Sequence, residues 1–90
     1  MKKTFKFEFE DLSSSGAITY DCSNEGEEKF TVSIENGMPV IYANREAFLL
    51  LSKICAIFAL SDYDSGFHVH LPHDFDEEQT ESIRLVLNVD

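Results

Sequence analysis

One segment of this 90-residue chain changes its hydrophobic period, and that change limits the architecture more than any other feature. From Asn44 to Leu60 the apolar residues recur at helical spacing, whereas nearly every other patterned stretch alternates with period two. Asn44 suits an N-cap, with its side-chain oxygen available to a free N–H of the first turn. Glu46 follows near the positive end of the helix dipole. The pattern predicts a helix from about Arg45 to Leu60, ended by the turn-rich Ser61–Gly66. Its inner stripe reads as Ala47, Phe48, Leu51, Ile54, Cys55 and Phe58. The far side carries Leu49, Leu50, Ile57 and Leu60, interrupted by Glu46 and Lys53. A helix that is apolar nearly all round is normally covered on two sides. Leu49, Leu50, Ile57 and Leu60 are therefore a candidate seam for a homodimer or a partner, unless another part of the chain covers them.

The alternating stretches flank this helix. Lys3–Glu10 places Phe5, Phe7 and Phe9 on one face and Lys6, Glu8 and Glu10 on the other. After the turn chemistry of Ser13–Gly16, Ala17–Cys22 brings Ile18, Tyr20 and Cys22 into phase. Lys29–Glu35 aligns Phe30, Val32 and Ile34. Asn36-Gly37 then gives the strongest short hairpin signal, because both central residues of a type I′ turn need positive φ. Met38–Ala43 returns, with Pro39 suited to an edge or the start of a strand. Beyond the helix, Phe67, Val69 and Leu71 oppose His68 and His70, and Ile83, Leu85, Leu87 and Val89 close the chain. The order β-β-β-β-α-β-β implies a single α+β domain over residues 1–90. Its expected form is one mostly antiparallel sheet of about six strands with the long helix on one face.

Charge narrows the partners. Seventeen acids against seven Lys and Arg leave a formal charge of −10, which argues against nucleic acid and anionic lipid. It favours a basic or neutral partner. The run after Met1-Lys2-Lys3-Thr4 is charged at every second position and does not make a signal peptide. No stretch is long and apolar enough to span a membrane. Cys22 and Cys55 show no C-x-x-C or clustered partner, so a disulfide framework is not indicated and a cytoplasmic location is expected.

The histidines invite a metal reading. His68-x-His70 on a strand sets two imidazoles on one face, roughly 7 Å apart, with His73, Asp74 or Asp76 as a third ligand for zinc. A pair without a fixed third ligand is a weak metal signal and more simply a polar sheet face, and the primary expectation is no cofactor. As an acid–base pair they lack a nucleophile or an oxyanion hole, so no enzyme is expected. The connection Pro72–Glu81 gathers Asp74, Asp76, Glu77, Glu78 and Glu81 without the spacing of a calcium loop. Acid concentrated there would steer a basic partner toward the histidine face. His68, His70, Asp74, Asp76, Glu77 and Glu78 are thus the candidate partner-binding residues.

The stretch from Tyr42 to Asp90 also carries a recognisable pattern. Ala43-Asn44-Arg45-Glu46-Ala47-Phe48, then Leu51 and Ala59-Leu60, then Gly66-Phe67-His68-Val69-His70-Leu71 and the apolar Ile83–Val89 resemble a family of small bacterial proteins. That family shows G-N-x-x-G-L at a helix start, then G-x-H-x-H-L-D and a closing strand. It is the immunity protein family thirty-two of polymorphic toxin systems. The matching positions are Asn44, Gly66, His68, His70 and Leu71. Ala43 and Ala47 stand where the family has glycines, and Pro72 where it tends to have Asp. The resemblance implies a protein without catalysis of its own that neutralises a toxin by direct binding, and the acidic composition independently suits a plug for a basic active site such as nucleases present.

Overall fold

The computed structural model describes residues 1–18, 28–71 and 80–89. Among them lie strands β1 (Phe30–Glu35) and β2 (Met38–Ala43), helix α1 (Arg45–Leu60), and strands β3 (His68–Leu71) and β4 (Ile83–Val86). The α+β class holds, but the single six-stranded sheet does not. There are two separate antiparallel pairs, β1 with β2 and β3 with β4.

The missing strands have a physical explanation at the N-terminus. Lys3–Glu10 forms no ladder. Its alternation serves a different end: Phe7 and Phe9 stack on each other with ring centroids 5.4 Å apart, and the ammonium of Lys53 lies 5.5 Å over the Phe7 ring. Period two reports that alternate side chains share a face, and a segment laid against a helix satisfies it without backbone pairing. Of the expected strand Ala17–Cys22, Ala17 and Ile18 lie outside any strand. The remainder falls outside the described residues.

The β1–β2 hairpin follows its turn chemistry. Asn36 and Gly37 both take positive φ, 53° and 77°, and Glu35 pairs with Met38 across a two-residue loop. The hairpin then hands the chain directly to α1. The Asn44 side chain accepts the Ala47 amide at 2.9 Å as an N-cap, and also the Lys29 amide at 3.1 Å. One carboxamide oxygen thereby fixes both the helix start and the base of β1.

The core lies where α1 meets both strand pairs. Ala47, Leu50 and Ile54 from the helix pack with Phe30 of β1 and with Val69 and Leu71 of β3. Ile18, Val32, Ala43, Leu51, Phe58, Ile83 and Leu85 surround them, partly buried. Beyond the helix, Phe67 stacks on Tyr63 at 4.0 Å and Phe58 tilts against Phe67 at 5.6 Å, which closes the turn into β3. The Tyr63 hydroxyl donates to the Ala17 carbonyl, and burial raises its pKa. Asp11 accepts amides from Ser13 at 2.9 Å and Asp62 at 3.4 Å, tying the N-terminal segment to the helix end.

The helix face is rotated from its expected position. Leu50 and Ile57 are only 3% and 2% exposed, whereas Phe48, Leu49 and Leu60 are at least half exposed, and Cys55 is also exposed. The expected inner stripe therefore loses Phe48 and Cys55, and the expected seam of Leu49, Leu50, Ile57 and Leu60 divides between core and surface. Apolar residues almost all round a helix leave the direction of its buried face undetermined by sequence. Packing against Phe30, Val69 and Leu71 decides it instead.

Candidate functional site

The site is built on β3 and β4. Their register pairs His68 with Val86, Val69 with Leu85, His70 with Arg84 and Leu71 with Ile83. Strand alternation sends Val69 and Leu71 into the core, where they are 1% and 0% exposed, and turns the two histidines outward. Gly66 holds φ at 96° in the preceding turn, a conformation that side-chain-bearing residues rarely adopt. The turn is closed by the Gly66 amide on the Leu87 carbonyl at 2.7 Å and the Leu87 amide on the Phe67 carbonyl at 2.8 Å.

On the outward face the polar groups are connected. His70 Nδ1 lies 2.9 Å from Glu81 Oε1, and the Arg84 guanidinium grips both oxygens of the same carboxylate at 2.9 and 3.3 Å. Hydrogen bonding from Arg84, then from His70, holds the Glu81 carboxyl down to about 2, and the carboxylate in turn raises Arg84. His68 Nδ1 faces the Gly66 carbonyl at 2.9 Å. A carbonyl only accepts, so the proton resides on Nδ1 and, in the neutral ring, Nε2 bears the lone pair. The His68 and His70 rings meet edge to face, with centroids 4.8 Å apart. The result is a partly exposed strip whose charges are oriented by one another.

The five motif positions separate by role. Asn44 caps the helix, Gly66 supplies the turn and Leu71 is core. His68 and His70 are the pair that faces outward. The structure adds Glu81 and Arg84 to them. In the sequence Glu81 belongs to the acidic connection and Arg84 alternates with the apolar residues of the closing strand; their link to His70 depends on the β3–β4 register. The spacing of Glu81 and Arg84 by three residues was the available signal. Asp74, Asp76, Glu77, Glu78 and the third histidine, His73, lie outside the described residues.

Among the described residues, no three His, Cys, Asp or Glu side chains gather as a metal site. No described helix is long and apolar enough to cross a membrane. No family model, curated protein or solved structure matches the chain.

Proposed function

We propose that this chain is a binding protein of the immunity type, which neutralises a basic toxin domain by direct contact through the outward face of β3 and β4. The carrying observation is the strip His68–His70–Glu81–Arg84, hydrogen-bonded and partly exposed on one side of a sheet whose other side is core. These side chains add little to the core beneath them. Orienting ionic groups in advance reduces the ordering cost of association and favours a complementary charged partner. The net charge of −10 supports the same direction of encounter, and the resemblance of Asn44, Gly66, His68, His70 and Leu71 to immunity family thirty-two supports the class. Direct binding requires no cofactor.

This reading predicts a toxin-like gene next to the chain's own gene, and co-expression of the two is the test. The wild-type chain should restore growth, and the double variant His68→Ala, Glu81→Ala should fail while remaining folded. Absence of rescue by the wild-type chain contradicts the reading.

A further inference from the structure

Side-chain packing accounts for the alternation of residues 3–10, and their backbone is left over. Phe7 and Phe9 stack with centroids 5.4 Å apart and planes within 24° of parallel, which for rings two residues apart requires an extended chain. Among the described residues, no backbone hydrogen bond engages an N–H or C=O of residues 3–10. An extended segment with open backbone rows is a template for strand pairing. Charge along it is divided. Lys2, Lys3 and Lys6 precede Phe7, whereas Glu8, Glu10 and Asp11 follow it. Among the described residues, Lys6 and Glu8 have no hydrogen-bonded or ionic partner, and both are exposed, as is Phe5 at 54%.

We propose that residues 3–10 pair with the same segment of a second copy, as an antiparallel two-stranded ladder centred on Phe7. Charge identifies the occupant. Reversing the chain direction brings the basic half of one segment against the acidic half of the other, so the segment is complementary to itself. With Phe7 opposite the partner's Phe7, Lys6 faces the partner's Glu8, twice by symmetry, and Phe5 faces the partner's Phe9. The register is specified. A slip of two residues sets Glu8 opposite Glu8 in one direction and Lys6 opposite Lys6 in the other. A slip of one sets phenylalanine opposite charge along the whole ladder. In the centred register the phenylalanines of both copies share one side of the ladder, where Phe5 is covered, and the ion pairs share the other. The ladder adds no strand to β1–β2 or β3–β4. It uses no residue of the histidine strip, so it does not rest on the toxin-binding reading.

Sedimentation of the purified full chain from micromolar to millimolar concentration tests the pairing. The expected result is a dimer mass for the wild-type chain. Lys6→Glu sets acid opposite acid at both pairs, and Glu8→Lys sets base opposite base. Each should weaken the dimer about tenfold, with helix content unchanged by circular dichroism. Glu8→Lys separates pairing from general repulsion, because it makes the chain less acidic and would strengthen a dimer limited by net charge alone. Mixed one to one, the two variants should form a mixed dimer of wild-type strength, since every cross-strand pair is then opposite in sign. A monomer mass for the wild-type chain at every concentration overturns the proposal. So does a dimer that either folded variant leaves intact, and so do two weakened variants that stay apart when mixed.

Discussion

The two strand pairs share a length scale and an antiparallel arrangement, yet they are held by different forces. β1 and β2 are joined by two residues, and their outer end projects from the core: Ile34 and Met38 are 69% and 65% exposed. Local turn geometry and the Asn44 clamp at the base define that hairpin. An isolated hairpin is marginal in water, so its attachment at Phe30 matters more than its tip. β3 and β4 are consecutive but separated by residues 72–82 rather than by a two-residue turn, and they receive their register from burial, with Val69 and Leu71 locked beneath α1. The pair fixed by local chemistry leaves apolar residues exposed. The pair fixed by the core can present polar groups outward in fixed positions, and that is where the proposed binding strip lies.

The contrast is sharpest in stability. Leu71→Ala should cost about 2–5 kcal/mol, because it empties a fully buried position, whereas Ile34→Ala should stay within about 0.5 kcal/mol. Urea midpoints check both, and equal effects would break the comparison. Asn44→Ala should cost about 1–2 kcal/mol, since the helix cap and the Lys29 amide lose their acceptor together. Its signature is lost exchange protection at both Lys29 and Ala47.

The smallest effect concerns pH. Glu81 is held at about 2, below the ordinary carboxylate value, so its contribution is present above that ordinary value. It declines as pH falls from the ordinary value of 4.5 toward 2, and Glu81→Gln removes it throughout. The difference in melting temperature between wild type and Glu81→Gln should therefore shrink over that window. A constant difference would show that Arg84 and His70 do not hold the carboxylate as described.

Much of the architecture is legible wherever the chemistry is local. Asn36-Gly37 announces the hairpin, and Asn44 announces the helix start, because each acts through its own backbone neighbourhood. The phenylalanines at 5, 7 and 9 mislead, since alternation cannot distinguish a strand from a segment packed by alternate side chains. The helix face is misread because its apolar residues point almost everywhere, and only the strands beneath it choose a side. Within the site, the outward turn of His68 and His70 follows from Val69 and Leu71 being apolar. The coupling of Glu81 and Arg84 to His70 depends on a strand register that spacing alone cannot supply. The role of Asn44 is twofold for the same reason: the cap was readable, and the bond to Lys29 needed the hairpin to form.

The proposed function has the outward face of β3 and β4 binding a basic protein. The immunity reading predicts a toxin gene beside the chain's own, and calorimetric titration of the full chain with the catalytically inactivated product of such a gene is the decisive test. The expected result is a one-to-one complex that weakens with salt and is lost in the folded His68→Ala, Glu81→Ala variant. No heat of binding with the wild-type chain, or undiminished affinity in that variant, would contradict it.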